Sequence, residues 1–141
     1  MNNNMDQPCL FCRIINKELP SHIVYENDHV LAFLDIHPTT KGHTLVIPKT
    51  HTADFLSTPV ETLFEVNRVI QVVAHAVLKA VGADGFNLNF NNGSVAGQVI
   101  FHLHGHIIPR FSNDGLRLWK GGDYKEGEAA EIAQEIKKHL T

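Results

Sequence analysis

The sequence predicts an α+β domain built around an antiparallel sheet. Short runs of β-branched and aromatic residues follow one another closely, and the first two are separated by the hairpin signal Asn27-Asp28. Two longer segments carry apolar residues at helical spacing. The chain has 141 residues, 43% of them hydrophobic, which suffices for one compact domain and is too little for two.

The N-terminal part predicts a leader followed by a short helix. Residues 1–7 are polar and show no periodicity, so we expect a disordered leader and place the single domain at residues 8–141. Apolar residues at helical spacing over 8–17 predict a short helix that ends before Pro20.

Five strands are predicted along the chain. The runs 23–27 and 30–34 form the hairpin, and the continuous apolar centre of 43–48 suits a buried middle strand. The runs 86–91 and 101–111 complete the sheet, with an Asn-rich loop between them.

Two longer helices are predicted beside the sheet. Thr58 is a candidate N-cap for the first, with Pro59 at its first position and Glu61 closing a capping box. Gly82 ends this helix. Its core-facing stripe consists of Leu63, Val66, Ile70, Val73, Val77 and Val81. A charged helix over 126–140 closes a C-terminal extension.

Charge and hydropathy argue against two classes of partner. The net charge is −3 and the basic residues are spread singly, which is not the clustered basic face of a nucleic-acid-binding protein. No apolar run has the length of a membrane span and no signal peptide is evident, so we expect a cytoplasmic protein. In that reducing compartment the spacing Cys9-Leu10-Phe11-Cys12 favours metal or redox chemistry over a structural disulfide.

Three histidines alternate in the last predicted strand. The period of a strand sends His102, His104 and His106 to one face, while Leu103 and Ile107 point to the other. Three imidazoles on one face repel one another when charged, so a protein keeps them for metal binding or for handling protons and nucleophiles. Both uses remain open from the pattern alone.

The loop that leads into this strand is polar and contains two glycines. Successive amides in such a loop can form a concave anion-binding nest, and over residues 91–98 a phosphate beside the imidazoles would fit. The alternative is an ordinary long hairpin connection.

These residues resemble the histidine triad (HIT) family of nucleotide hydrolases and transferases. The similarity rests on the His-x-His-x-His pattern within residues 98–108 and on the segments 31–38 and 41–49, and it extends over residues 9–111. The resemblance implies the HIT fold, an antiparallel five-stranded sheet with two main helices. It also implies a homodimer in which two sheets join edge to edge into ten strands.

The resemblance implies a role for each histidine. His104 matches the nucleophile, and the main-chain carbonyl of His102 would accept the proton on its far nitrogen. His106 matches the third histidine, where an imidazolium can stabilise or protonate the leaving group. His43 matches a fourth, supporting histidine.

The family pattern also implies the nucleotide contacts. Gln98 and Gly97 match positions that contact the α-phosphate or the bridging atom, and Asn91 matches one near the ribose and phosphate. Asp35 resembles the residue that binds the ribose hydroxyls, with Ile36 beside the base. A carboxylate suits that task, although Asp35 could instead cap the loop that follows it.

Two positions depart from the family pattern. Gly105 replaces a hydrophobic residue between the second and third histidines, and we expect it to loosen the strand and weaken packing on the far face. Val99 replaces a serine of the Hint branch that serves the leaving nitrogen, which puts phosphoramidate hydrolysis in question. The triad ends in His106 and not in glutamine, which resembles the hydrolases and not the uridylyltransferases.

Cys9, Cys12, His51 and His102 resemble the zinc site of several bacterial HIT proteins. Four such ligands would form a closed tetrahedron with a structural zinc. The alternative is two unpaired cysteines that pack as small hydrophobic residues.

The function implied is a nucleotide hydrolase that forms a nucleotidyl-histidine and releases a nucleoside monophosphate. Its substrate would be a nucleoside phosphoramidate, a dinucleoside polyphosphate or a related adenylate, and the chemistry would need no added cofactor. Two alternatives stay open: a zinc hydrolase with His102, His104 and a remote histidine as ligands, and a non-catalytic nucleotide-binding protein.

Overall fold

The computed structural model describes residues 9–140, and over that range it contains one five-stranded antiparallel sheet and three α-helices. The strands are β1 Ile23–Glu26, β2 Val30–Leu34, β3 Thr44–Pro48, β4 Gly85–Asn89 and β5 Gly105–Arg110. The helices are α1 Leu10–Ile15, α2 Val60–Val81 and α3 Glu128–His139. The predicted α+β class is confirmed, and the leader predicted for residues 1–7 lies outside the described residues.

The sheet has the strand order β1-β2-β3-β5-β4, which leaves β3 and β5 as inner neighbours. The long helix α2 covers one face, where its apolar stripe packs on Val30, Val46 and Ile107. The short helix α1 covers the other face through Phe11 and Ile14. We call this second face the α1 side, and His106, the one histidine of β5, belongs to it.

The described residues include no helix that is both long and apolar enough to cross a membrane. The third helix is amphipathic but contributes no buried residue. Its bounds are close to the predicted range of 126–140.

Two local predictions are wrong. Thr58 does not cap α2, because its hydroxyl donates to the carbonyl of Asp54 at 2.6 Å and lies 2.7 Å from the Thr52 hydroxyl. Pro59 precedes the helix as its N-cap without a side-chain bond, while Gly82 ends it in the left-handed region as predicted.

The last strand begins at Gly105 and not at residue 101. The ladder between β3 and β5 reaches only to the pair Val46 and Gly105. Beyond it, Pro48 has no N–H to donate, and the N–H of Leu103 instead donates to the carbonyl of Thr52 at 2.7 Å. His102 and His104 therefore lie in an irregular segment just ahead of the strand.

Candidate active site

Three imidazole rings form a row on the α1 side of the sheet. The ring centroids of His104 and His106 are 4.8 Å apart, and those of His106 and His43 are 5.2 Å apart. Phe11 of α1 packs edge-on against His104 at 5.1 Å. We call His104, His106 and His43 the histidine row.

His104 at one end of the row has the geometry of a nucleophile. Its Nδ1–H donates to the main-chain carbonyl of His102 at 2.7 Å, so its other nitrogen, Nε2, carries the lone pair. Burial lowers the pKa of His104, although the bond to the carbonyl opposes that shift. At neutral pH the ring is therefore uncharged and able to attack.

A chain of hydrogen bonds fixes the proton on His106. The main-chain N–H of Thr39 can only donate, and it lies 3.0 Å from Nδ1 of His43. Neutral His43 therefore carries its proton on Nε2 and donates it to Nδ1 of His106 at 2.9 Å. His106 must then carry its own proton on Nε2.

That Nε2 is the only buried side-chain nitrogen or oxygen among residues 9–140 without a hydrogen-bond partner. Burial, followed by the nearby His104, lowers the pKa of His106 to about 4. In the free protein at neutral pH, His106 is therefore uncharged, and its Nε2–H is a buried donor without an acceptor.

The row opens into a cavity of about 580 Å³, which we call the first cavity. Its lining is mostly apolar and includes Phe33 and Ile36 together with the two histidines His104 and His106. Asp35 also lines it. An apolar slot with a few convergent polar groups is typical of a small-ligand site.

The two carboxylate oxygens of Asp35 have different neighbours. Its Oδ1 accepts the N–H of His37 at 2.9 Å, which is the loop-capping role considered above. Its Oδ2 lies 3.7 Å from Nε2 of His43. One carboxylate oxygen is thus tied to the loop, and the other remains on the side of the cavity and the row.

The loop over residues 91–98 has a fixed shape. Gly93 and Gly97 flank a short 3-10 helix, Ser94–Ala96, and adopt φ of 86° and 91°, which non-glycine residues rarely do. Asn91 accepts a bond from Asn89 at 3.0 Å. Gly97 lines the first cavity, so the loop reaches the ligand space.

Gln98 does not offer a free side chain to a phosphate, contrary to expectation. It is only 3% exposed, and its Nε2 donates to the carbonyls of Ala53 at 2.7 Å and Ile100 at 3.1 Å. Its Oε1 accepts the N–H of Gly93 at 2.9 Å. Gln98 holds the loop in place, and sequence analysis missed this because Ala53 lies 45 residues away.

Main-chain groups beside Gln98 are better placed to donate to an anion. Among residues 9–140, no acceptor takes the N–H of Val99 or Ile100. Both residues line the first cavity next to His104. Neither these amides nor the amide of Thr39 has a side-chain signature, so a sequence cannot reveal them.

Four further side chains meet beside the row. The ligand atoms of Cys9, Cys12, His51 and His102 all lie within 4.8 Å of one another. The Cys9 and Cys12 sulfurs are 3.5 Å and 3.7 Å from Nδ1 of His102, and the two Nδ1 atoms of the histidines are 3.1 Å apart. We call this group the Cys-His cluster.

The profile of the HIT domain family matches residues 16–113, which is most of the chain. The chain belongs to the HIT family. Its sequence is 42% identical to that of a HIT family protein from Bacillus subtilis. The crystal structure of that protein superposes with a TM-score of 0.87, and the match covers 96% of this chain and 99% of that one. It is also 38% identical to an adenylylsulfatase, HINT3, from Arabidopsis thaliana, over 98% of this chain and 72% of that protein. A zinc-bound histidine triad protein from Mycobacterium smegmatis is 40% identical, with a TM-score of 0.74 over 93% and 97% of the two chains.

Within the HIT pattern, the expectation that Gly105 loosens the strand is wrong. A Cβ on Gly105 would lie 2.9 Å from Cδ1 of Ile70 and 3.0 Å from Cζ of Phe90. The space is already filled, so the far face of β5 is closely packed. Val99 is 85% exposed and offers the first cavity no hydroxyl.

The Cys-His cluster fits a HIT zinc site in geometry and in chemistry. Its separations are close to the edges of a tetrahedron with Zn–S of about 2.3 Å and Zn–N of about 2.0–2.1 Å. Nε2 of His102 donates to the carbonyl of Pro48 at 2.8 Å, which keeps Nδ1 unprotonated and aimed at the cluster. Burial raises the pKa of the Cys12 thiol to about 11, so metal binding would have to displace a proton there.

Proposed function

We propose that this HIT protein is a nucleotide hydrolase that works through a nucleotidyl-histidine on His104. The observation that carries the proposal is the 2.7 Å bond from Nδ1 of His104 to the carbonyl of His102, which leaves Nε2 free to act as the nucleophile for a ligand in the first cavity, which His104 lines. The substrate would be a nucleoside phosphoramidate, a dinucleoside polyphosphate or a related adenylate. The adenylylsulfatase named among the relatives supports this class.

The nucleoside would occupy the first cavity, with Asp35 at the ribose and Ile36 at the base. The α-phosphate would then lie between His104 and the loop, near the amides of Val99 and Ile100 and close to Asn91 and Gly97. These contacts would neutralise charge on the phosphoryl oxygens without a metal ion.

The reaction would proceed in two displacements. Nε2 of His104 attacks the α-phosphorus, and the bond from phosphorus to the leaving oxygen or nitrogen breaks with its electron pair on the leaving atom. That atom takes the proton from Nε2 of His106. A water molecule then attacks the phosphorus and gives a proton back to Nε2 of His106, and the bond to His104 breaks with its electron pair on Nε2 to release the nucleoside monophosphate.

The test of this proposal is the exchange H104N. It removes the attacking nitrogen and should abolish turnover, while the nucleoside cavity and AMP binding are retained. Wild-type protein quenched during turnover of an α-labelled substrate should carry an acid-labile label that H104N lacks. The control is H75Q, because His75 is an exposed residue on α2. Full turnover by H104N would refute the mechanism.

A second candidate, a zinc hydrolase, is favoured by one observation. Asp35, His43 and His106 also bring three ligand atoms within 4.8 Å of one another. The version with His102 and His104 as joint ligands is disfavoured, since Nδ1 of His102 belongs to the Cys-His cluster. Rapid loss of activity on chelation, with an unchanged fold and no labelled histidine, would support the zinc hydrolase. A purely nucleotide-binding protein would bind AMP without turnover.

We also propose a structural zinc in the Cys-His cluster and a homodimer. The zinc-bound Mycobacterium smegmatis relative supports the metal, and a reducing cytoplasm would keep both thiols available. The dimer is supported by β4, an edge strand whose Phe86 and Leu88 are about two-fifths exposed. Light scattering on the purified protein measures the assembly, and a monomeric mass would refute it.

A further inference from the structure

A turn between β3 and α2, over residues 52–58, bonds to both segments that would hold the phosphate. Two of its main-chain carbonyls and one of its main-chain N–H groups have partners at least 37 residues away in sequence. Among the described residues, those that line the first cavity include none from this turn. We call it the 52–58 turn.

One of these bonds holds the segment that carries the nucleophile. The carbonyl of Thr52 accepts the N–H of Leu103 at 2.7 Å. Leu103 lies between His102 and His104, and the carbonyl of His102 accepts the Nδ1–H of His104. The bond from Leu103 therefore fixes the nucleophile relative to the 52–58 turn.

The other two bonds hold the loop over residues 91–98. Nε2–H of Gln98 donates to the carbonyl of Ala53 at 2.7 Å. The N–H of Phe55 donates to Oδ1 of Asn92 at 2.8 Å. The loop is thus attached to the 52–58 turn near both of its ends.

The 52–58 turn keeps its shape through bonds of its own. Oδ1 of Asp54 accepts the N–H of Ser57 at 2.9 Å, and the hydroxyl oxygen of Ser57 accepts the N–H of Asp54 at 3.2 Å. The hydroxyl of Thr58 donates to the carbonyl of Asp54 at 2.6 Å. The bonds from Ser57 lower the pKa of Asp54, so the carboxylate remains a charged acceptor at neutral pH.

The nucleophile and the loop must be held at a fixed distance for phosphoryl transfer. Nε2 of His104 has to meet the phosphorus while the amides of Val99 and Ile100, which follow the loop directly, face the phosphoryl oxygens. A misplacement of about 1 Å can cost on the order of 10²-fold in rate. A single turn that bonds to both segments sets this distance.

We propose that Asp54 is a positioning residue of the hydrolase, which acts through the 52–58 turn on the nucleophile and on the phosphate loop together. Asn92 is the side chain through which the turn holds the near end of that loop. The inference rests on the proposed function and deepens it. Asp54 affects the reaction although it does not line the first cavity.

The first test separates the phosphate from the nucleoside. In the H104N background, D54A and D54N are titrated with AMP and with adenosine by calorimetry. D54A removes the acceptor for Ser57, so it should weaken AMP binding about fivefold to tenfold and adenosine binding less than about twofold. D54N keeps an acceptor oxygen and should restore most of the affinity for AMP. The matched control is D84A, because Asp84 also accepts the N–H and the hydroxyl of Ser112 but lies outside the 52–58 turn.

The second test measures turnover of adenosine 5′-phosphoramidate by variants with His104 intact. D54A should lower kcat/KM about tenfold or more, and N92A should lower it less, because N92A releases only the loop. The double variant D54A/N92A should lose less than the product of the two single losses, since both changes act on the same loop. D84A should turn over the substrate as wild-type protein does.

Three results would overturn the inference: equal losses of AMP and adenosine affinity in D54A, the same losses in D84A, or a D54N variant as weak as D54A. If D54A does not fold by circular dichroism, N92A decides, and it must weaken AMP binding more than adenosine binding. Wild-type protein that turns over no substrate refutes the proposed function, and the AMP and adenosine titrations then decide the positioning role separately.

Discussion

The proton on Nε2 of His106 is fixed by two hydrogen bonds that begin at the main-chain N–H of Thr39. If its Nε2–H protonates the leaving atom, then H106Q should matter most for leaving groups that cannot depart without a proton. We expect a loss of about 10²–10⁴-fold in kcat/KM for an alkyl phosphoramidate. A p-nitrophenyl ester of the same nucleotide should lose much less. Equal losses on both substrates would show that His106 acts by binding alone.

The state of His104 predicts the acid limb of the pH profile. Its pKa lies below the ordinary value of 6.5 because the ring is buried, so the nucleophile stays neutral to lower pH than a free histidine would. With the p-nitrophenyl ester, kcat/KM should fall to half its plateau value only below pH 6.5. Zinc content is measured at each pH as a control. A half-maximal point at or above 6.5 would contradict the assignment.

The residues that sequence analysis placed best are those with a distinctive side chain. Alternation predicted a shared face for His104 and His106, and the family resemblance indicated His43; the three rings lie in one row. The task of Gln98 was not readable, since its acceptor on Ala53 becomes a neighbour only after folding. The same holds for the amide of Thr39, which any residue except proline would supply.

At the scale of elements, the short β5 shows how packing replaces the expected side chain. Phe90 and Ile70 fill the space that a larger residue at position 105 would occupy. G105A should therefore destabilise the protein by about 1–3 kcal/mol through overpacking, measured by urea unfolding. The control is G121A, where an added Cβ meets nothing within 4 Å.

Relief of the same contact tests that explanation. The double variant G105A/F90L should recover part of the lost stability, since it removes ring atoms that the new methyl would meet. A stable G105A, or losses that simply add in the double variant, would contradict it.

The boundaries of the elements were less predictable than their existence. The expected start of α2 failed because the Thr58 hydroxyl binds the carbonyl of Asp54, four residues away. The expected start of β5 failed because Pro48 lacks an N–H and the N–H of Leu103 donates to Thr52. That last contact joins segments distant in sequence, and periodicity holds no information about such contacts.

For the whole molecule, the Cys-His cluster would join α1, the loop after β3 and the segment before β5. A zinc bound only by the folded chain adds about 4 kcal/mol when free zinc is roughly a thousand times its Kd. C12S should therefore lower the melting temperature clearly and reduce zinc from about one ion per chain. With excess EDTA, the melting temperatures of C12S and wild-type protein should converge. The site would be refuted if wild-type protein contains no zinc and its melting temperature in the presence of zinc equals that of C12S.

The loop between β2 and β3 contributes to the first cavity at one end and to the histidine row at the other. Asp35 and Ile36 line the first cavity, while Thr39 orients His43 and thereby the proton of His106. A nucleoside that favours this loop conformation favours the matching proton arrangement by the same free energy, and the linkage is reciprocal. In the proposed mechanism, occupancy of the ribose site and the proton arrangement of His106 are coupled equilibria, so a truncated substrate without ribose should lose kcat as well as affinity.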